Sequence, residues 1–378
     1  MTRSLLCALL ASALIVFGSP YVGEIRGALQ SSFPGYYRWI VGGVVAIAGV
    51  VALGTASLSL RRRKREARLS ATASGPQSWF RDVLVLMAIT IGVTYARAVS
   101  TGNPDVDLVE AFHFVEYGVV TWLFYRVWRR RPDVSAIVLT VCAALAVGIA
   151  DEWVQWFVPG RVGEIHDVLL NAVAIICGLL VSMAIDPPVA RSWPQLGSPR
   201  LAMGLVIGCL LTAVGGFVDQ VHLGYEINDG SSLSFRSQYD VKALAGAAEE
   251  RAVRWQTSPP PERGFTREDH YLSEGLWHVQ RRNLSITARD WWSAWNENVI
   301  LERFYAPVLD RGFRWADGQR DQIDRSAHET PHAAYRSAAA PYPIYLIRRA
   351  IFWPVTLLLV AAIVGAARRS GASALVHV

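Results

Sequence analysis

The sequence predicts an all-α polytopic membrane protein with about eight transmembrane helices and one sizeable domain outside the membrane. Hydrophobic residues make up 52% of the 378 residues, and the mean hydropathy of +0.26 is too high for an ordinary soluble enzyme. The apolar residues form runs of about 17–22 residues, long enough to cross a bilayer as helices. Basic residues collect at the ends of those runs, which is typical of membrane proteins.

The apolar runs define the predicted helices in order along the chain. The first run is short and follows Arg3, as in a signal peptide, but no clear small-residue cleavage site follows it, so we expect a retained helix. The eight runs are Leu5–Val22, Trp39–Leu60, Trp79–Val99, Val109–Trp128, Val134–Trp153, Val168–Ile185, Leu201–Val218 and Ala350–Ala367.

Basic clusters predict the orientation of these helices. The loop after the second run reads RRRKREAR, and the loop after the fourth contains Arg129, Arg130 and Arg131. Further arginines follow the sixth and eighth runs, whereas the alternate loops are poor in basic residues. By the positive-inside rule, both termini and the basic loops lie in the cytoplasm.

The same pattern predicts the domain boundaries. The long polar segment 219–342 lies outside the membrane on this topology, is large enough for a small domain, and has apolar residues at helical spacing. The predicted regions are two N-terminal transmembrane helices (1–60), a basic cytoplasmic loop (61–78), a four-helix core (79–186), a cytoplasmic loop with the seventh helix (187–218), a mostly helical extracytoplasmic domain (219–342), and a C-terminal helix with a short tail (343–378).

Charge and cysteine usage argue against two classes of function. The net charge of +6 and pI near 9.3 would suit a nucleic-acid-binding protein. The basic residues instead lie where membrane topology needs them, so we expect no nucleic-acid partner. All four cysteines lie inside apolar runs, which argues against a disulfide framework and a cysteine-based zinc site.

Polar side chains interrupt three consecutive apolar runs. A charged side chain at mid-bilayer costs about 2.5–3.5 kcal/mol, so several in one region indicate a site. His113, Glu116 and Tyr117 share one helix face because they are spaced i, i+3 and i+4. The following helices and their connection carry the remaining polar candidates: Asp151, Glu152, Gln155, Arg161, Asp167 and Asn171, with Arg97 at the end of the preceding run.

The predicted topology brings these residues to one side of the membrane. The fourth and sixth runs begin outside, whereas the third and fifth end there, so every polar position lies near the outer leaflet. The arginines that predict this orientation lie elsewhere in the chain, so the convergence is an independent result. The sequence therefore predicts a shared polar site at the outer leaflet.

Three ordered motifs resemble the VanZ-like family of bacterial membrane proteins. They read HFVEYG, DEWVQWFVPGR and DVLLN with the later Gly178, and the resemblance covers about residues 79–185. It implies a multi-pass protein of the bacterial cytoplasmic membrane, in a family named for resistance to the glycopeptide teicoplanin. One departure concerns the basic residue that commonly precedes the family histidine, because Glu110-Ala111-Phe112 stands there. Arg97 is a candidate to supply that charge instead.

The chemistry of the site stays open between three alternatives. In the first, Glu116 and Asp151 divide acid and base roles, Arg161 binds an anionic group, and the other polar residues, with Arg97, orient a lipid-linked or cell-wall component. In the second, the same residues form a structural hydrogen-bond network between helices. In the third, His113 and His166 join carboxylates around a metal, but no tight ligand spacing supports it, so we predict no metal and leave any cofactor unspecified.

The outer domain offers weaker signals. His328 to His332 match the H-E-x-x-H zinc pattern, but Pro331 interrupts the helix that such a site needs. The tryptophans of the polar segment suit sugar stacking or core packing. We expect His278, Arg281 and Arg282 on a solvated basic face, with phosphate binding as the alternative. The sequence leaves open whether the protein is an enzyme, and a non-catalytic scaffold that docks envelope proteins is the alternative.

Overall fold

The structure is a computed structural model that describes residues 3–33, 35–69, 77–100, 102–131, 134–158, 163–187, 198–228, 230, 233–260, 270–329 and 334–372. The chain forms two compact units. The first comprises residues 1–154, 165–214 and 356–378, and the second comprises residues 155–164 and 215–355.

Long helices make up the first unit. They are α1 (Arg3–Gly18), α2 (Val22–Ser32), α3 (Tyr37–Leu69), α4 (Gln77–Val99), α5 (Pro104–Trp128), α6 (Ser135–Trp156), α7 (Ile165–Ile185) and α8 (Ser198–Val221). The second unit contains β1 (Tyr225–Asn228), β2 (Leu233–Ser237), α9 (Val241–Thr257), α10 (His270–Thr287), α11 (Trp291–Phe304), α12 (Ala306–Leu309), α13 (Asp317–Ala327) and β3 (Tyr335–Arg336). The final helix, α14 (Arg349–Ala372), begins in the second unit and ends in the first.

The prediction of an all-α polytopic membrane protein is confirmed. Within the described residues, six helical segments are long and apolar enough to cross a membrane, namely Arg3–Ser32, Trp79–Val99, Ser135–Trp156, Ile165–Ile185, Arg200–Val221 and Arg349–Arg368. Helix α5 has the length of a span, but polar residues such as Glu110 and Glu116 lower its hydropathy. The count of eight therefore stays a prediction.

Helix α7 packs against both α4 and α5 in the first unit. The apolar core of the first unit includes Tyr117, Phe124, Val147 and Ile175. Helix α1 contacts α5 and adds Ala8 to this core. Small residues allow close approach of the helices, since van der Waals packing replaces the hydrophobic effect inside a bilayer. The result is a tightly packed helical core around the predicted polar positions.

The second unit combines five helices with a small sheet that the sequence did not indicate. Strand β2 pairs antiparallel with β1 and parallel with β3. Asp240 and Asp290 cap the N-termini of α9 and α11, each accepting a hydrogen bond from the backbone N–H three residues later. An apolar core that includes Phe235, Tyr271 and Ile300 joins the sheet to the helices.

The segments through which the chain enters and leaves this second unit are joined by backbone hydrogen bonds. The Gly224 N–H donates to the Tyr345 carbonyl, and the Tyr345 N–H donates to the His222 carbonyl. The Arg349 guanidinium adds a bond of 2.6 Å to Asp219 Oδ1. The end of α8 is thereby tied to the start of α14.

Candidate functional site

A buried hydrogen bond lies at the centre of the predicted site. The Tyr117 hydroxyl on α5 donates to Asp151 Oδ2 on α6 over 3.2 Å. Tyr117 is 0% exposed and Asp151 is 3% exposed, and the neighbouring Glu152 is also fully buried. Three of the predicted polar residues therefore lie inside the helical core, away from its exposed surface.

The third helix of the site supplies Asn171, which is 1% exposed. Neither its amide nitrogen nor its amide oxygen has a hydrogen-bond partner among the described residues. Buried polar side chains are nearly always paired, because an unpaired group loses its hydration without compensation. This amide therefore offers one donor group and one acceptor to a small polar group or a water molecule.

Gly148 explains how the three helices come so close. A Cβ atom placed on this residue of α6 would lie 3.2 Å from Asn171 Cβ and 3.4 Å from both Asn171 Nδ2 and Tyr117 Cε1. Asp151 follows Gly148 by three residues on the same helix face. The absent side chain thus leaves space in which the amide and the tyrosine ring lie close together, and we call Tyr117, Asp151, Glu152 and Asn171 the buried cluster.

Two further predicted residues border the buried cluster. Glu116 is partly buried and interacts electrostatically with Asp151. The His113 ring stacks on the Tyr117 ring with a centroid separation of 6.0 Å. Gln155 is buried one turn beyond Asp151 on α6, but it belongs to the second compact unit. Arg161 lies outside the described residues.

The other two predicted residues lie near a separate cleft. This cleft has a volume of about 330 Å³, and the residues that line it include Arg97 but none of Glu116, Asp151 and Asn171. Asp167 lies close enough to Tyr95, another lining residue, to interact with it electrostatically. The full lining is Val93, Tyr95, Ala96, Arg97, Val99, Ser100, Asp107, Glu110, Ala111, Phe114 and Leu170.

Several lining residues were missing from the predicted site. Asp107, Glu110, Ala111 and Phe114 repeat at helical spacing along one stripe of α5, so the spacing was a usable signal. The partner surface on α4 could not be inferred, because the contact depends on how the two helices pack. No group of three or more His, Cys, Asp or Glu side chains is placed to hold a metal ion in the part of the chain that the structure describes.

The second unit contains a buried polar network around Glu297. This carboxylate accepts bonds of 2.6 Å from the Tyr335 and Ser337 hydroxyls and lies 2.6 Å from His278 Nδ1. Burial by itself raises the pKa of Glu297, but the charge of His278 and these hydrogen bonds outweigh it and hold the pKa below its ordinary value. The network is fully enclosed and satisfied, which indicates a structural role.

Arg282 corrects one expectation from the sequence. It is 3% exposed, and its guanidinium donates bonds of 2.8 Å to Asn298 Oδ1 and to the Phe313 carbonyl. Burial lowers its pKa to about 10. The prediction that Arg282 lies on a solvated face is wrong, because partners from α11 and from the segment after α12 compensate the burial of its charge. The same prediction is wrong for His278, which is 1% exposed, whereas Arg281 is exposed.

The zinc-like string and the tryptophans also have structural surroundings. His328 Nδ1 lies 3.1 Å from Asp324 Oδ1, and its ring contacts Trp292 and Trp295. Residues 330–332, which complete the H-E-x-x-H string, lie outside the described part of the chain. Trp315 lies beneath the guanidinium of Arg282 at 4.9 Å.

The comparison with known families finds a match in the N-terminal half of the chain. Residues 5–186 match the VanZ/LLP1 family. This region of the chain is VanZ-like. The resemblance predicted from the motifs is confirmed, and the match extends beyond the predicted core to include α1, α2 and α3. No curated protein and no solved structure matches the chain, and residues 219–342 lie beyond the VanZ-like region.

Proposed function

We propose that the VanZ-like region binds an anionic lipid-linked or cell-wall component at the outer leaflet of the bacterial cytoplasmic membrane and acts on it through the buried cluster. The observation that carries this proposal is the Asn171 amide, which is enclosed beside Tyr117 and lacks a hydrogen-bond partner among the described residues. A purely structural network would pair such an amide, since interhelical hydrogen bonds are what such a network contributes.

Each predicted residue has a role in this proposal. Asp151 and Glu116 form the acid–base pair, and the Tyr117 hydroxyl orients the Asp151 carboxylate through its 3.2 Å bond. Asn171 holds a polar group of the ligand, and Arg161 binds its anionic group. His113 and Glu152 adjoin the acid–base pair, Gln155 follows Asp151 by one turn on α6, and Asp167 and Arg97 lie at the separate cleft.

The proposed topology rests on the distribution of basic residues. The basic segment Arg61–Arg68 forms the C-terminal part of α3, and Arg129–Arg131 follow the end of α5. With these segments in the cytoplasm, both termini are cytoplasmic and residues 219–342 are outside. Components that carry cell-wall precursors are exposed on that side, which is why an effect on glycopeptide susceptibility follows from the proposal.

Separate substitutions of the two carboxyls test the proposal. Glu116→Gln and Asp151→Asn are produced at matched expression in bacteria that depend on the protein. Glycopeptide susceptibility is measured in the cells, and the lipid and glycan that copurify with each variant are identified separately. Each variant is expected to lose the cellular effect, whereas Glu24→Gln, an exposed acid on α2, keeps it. Full function in both carboxyl variants would refute the proposed chemistry.

A second candidate function is a scaffold on which the outer domain docks envelope proteins. One observation favours it, because α10 borders a groove of about 350 Å³ whose lining includes Leu276, Val279, Leu284 and Phe313. Leu276 and Leu284 are 38% and 56% exposed. Exposed apolar grooves of this kind are typical of docking sites.

Deletion separates the two functions. Removing residues 228–337 abolishes function on the scaffold hypothesis and spares it if the VanZ-like region carries the chemistry. Leu284→Glu is the milder variant, since it places a charge in the groove and leaves the buried network unchanged. Retained function in both variants would eliminate the scaffold.

A further inference from the structure

The cleft beside the buried cluster joins a polar rim to an apolar interior. Arg97 lies in the last turn of α4, while Asp107 and Glu110 lie in the first two turns of α5. All three therefore lie at the ends of membrane helices, where lipid headgroups are found. Val93 and Phe114 lie further along these helices and are apolar.

The depth of the cleft suits an amphipathic ligand. Val93 precedes the end of α4 by six residues, which corresponds to about 9 Å along a helix. Phe114 follows Glu110 by one turn, and Leu170 contributes from α7. A ligand with its headgroup at the rim would place apolar atoms against these side chains.

Both signs of charge occur at the rim. Arg97 is exposed and has no ion-pair partner among the described residues, so its guanidinium is available to a phosphate. On the opposite helix, Asp107 accepts a 2.6 Å hydrogen bond from the Ser100 hydroxyl, which orients its carboxylate. Asp107 and Glu110 together favour a cation at the rim and disfavour a ligand that carries only negative charge.

We infer that this cleft binds a phospholipid whose headgroup carries both a phosphate and a primary amine, as an ethanolamine headgroup does. Arg97 binds the phosphate, Asp107 and Glu110 bind the ammonium, and the acyl chain lies along Val93 and Phe114. The inference deepens the proposed function and rests on it, because it specifies the lipid-linked component as one whose anionic group is a phosphate beside an ammonium. Arg97 binds this phosphate at the cleft, in addition to the role proposed for Arg161.

Phe114 connects the cleft to the buried cluster. Its ring lines the cleft and packs against the apolar core that contains Tyr117. It also lies 3.6 Å from the Cβ position of Gly92 on α4. Phe114 is therefore shared by the cleft and the apolar core that contains Tyr117.

Lipid binding in nanodiscs tests the inference. The full-length protein is placed in phosphatidylcholine nanodiscs with a small fraction of photoreactive phosphatidylethanolamine or phosphatidylglycerol, and crosslinking is quantified. Arg97→Gln is expected to lower crosslinking of both lipids about threefold to tenfold. A loss of this size corresponds to the free energy of a hydrogen bond to a charged group at a partly exposed site. Glu110→Gln is expected to lower the crosslinking of phosphatidylethanolamine only, because phosphatidylglycerol has no amine.

Controls separate this result from general effects of charge. Arg131→Gln removes one exposed arginine just beyond the opposite end of α5. It is expected to leave the crosslinking of both lipids unchanged. Soluble glycerophosphoethanolamine is expected not to displace the lipid, since it lacks the acyl chains. Equal losses on both lipids in Glu110→Gln, an Arg131→Gln effect equal to that of Arg97→Gln, or displacement by the soluble headgroup would each overturn the inference.

The closing comparison distinguishes the inference from the proposed function. Asp151→Asn is measured in the same nanodiscs and is expected to retain lipid selectivity while losing the cellular effect. Selective binding combined with full cellular function in both Asp151→Asn and Glu116→Gln refutes the proposed chemistry and leaves the lipid site standing. Loss of the cellular effect without any headgroup selectivity in the wild type refutes the lipid site alone.

Discussion

Gly178 of α7 lies so close to Gly118 of α5 that a Cβ atom added to Gly178 would be 2.8 Å from the Gly118 Cα atom. This contact brings two membrane helices together at backbone distance. Tyr117 precedes Gly118, and Asn171 lies two turns before Gly178, so the same contact sets the spacing of α5 and α7 near the buried cluster.

Gly178→Ala is therefore expected to destabilise the protein by about 1–3 kcal/mol, because the added methyl group meets backbone atoms that cannot rotate away. Thermal unfolding in detergent measures the change. Gly49→Ala on α3 is the matched control, since nothing lies within 4 Å of its Cβ position. Equal unfolding temperatures for the two variants would contradict the tight contact.

Asn171→Leu separates a ligand site from a structural network. Because neither amide atom has a hydrogen-bond partner among the described residues, the apolar replacement is expected to leave stability unchanged or raise it by about 1 kcal/mol. The cellular effect is expected to be lost. Asn298→Leu is the comparison, since the Asn298 amide accepts a hydrogen bond from Arg282 and donates one to Glu302. This substitution is expected to lower the stability of the protein clearly. A loss above about 1 kcal/mol in Asn171→Leu would indicate a structural amide.

Tyr117→Phe removes the hydroxyl that donates to Asp151. Interhelical hydrogen bonds in membranes contribute about 0.6 kcal/mol on average and at most about 1.7, so we expect a loss of stability in that range. Tyr21→Phe changes an exposed hydroxyl and is expected to have no effect. Denaturation in mixed micelles compares the two variants, and indistinguishable curves would show that the Tyr117 bond contributes nothing.

Arg282→Ala is expected to destabilise the outer domain by about 2–4 kcal/mol. The substitution leaves the Phe313 carbonyl and the Asn298 side chain without their donors in a buried environment. The adjacent Arg281→Ala removes an exposed arginine and is expected to change stability by less than about 0.5 kcal/mol. Urea unfolding followed by tryptophan fluorescence distinguishes them, and equal effects would rule out the buried network as a stabilising feature.

Acid is expected to weaken the outer domain through Glu297. The folded-state pKa of this carboxyl lies below its ordinary value of 4.5, because the charge of His278 and its hydrogen bonds favour the ionised form despite burial. A depressed folded pKa stabilises above the unfolded pKa, and this contribution is lost as the pH falls below about 4.5 through the folded pKa. Burial raises the pKa of Glu274, so its contribution has the opposite sign.

Glu297→Gln is expected to reduce this pH dependence. Urea midpoints at about pH 6.5 and pH 3.5 give the difference in stability for each variant, and the difference should shrink in Glu297→Gln. Glu249→Gln, an exposed acid on α9, is expected to keep the wild-type difference. An unchanged difference in Glu297→Gln would assign the acid sensitivity to other carboxyls.

The sequence predicted the helical membrane architecture and the family because both depend on local information. Hydropathy over about 20 residues identifies spans, and HFVEYG, DEWVQWFVPGR and DVLLN are contiguous motifs. The small sheet of the second unit was not predicted, because β2 pairs with the two-residue strand β3 about 100 positions later. Buried Arg282 was misplaced for the same reason, since its partners come from distant segments.

By itself, the sequence determined that the chain carries a VanZ-like membrane region and that polar residues occupy three of its consecutive helices. The tertiary structure alone decided which of them meet, placing Tyr117, Asp151 and Asn171 around Gly148 and assigning Arg97 to a separate cleft. The physical reason is that spacing along a helix specifies which residues share a face. The packing of small residues between helices then decides which faces come into contact.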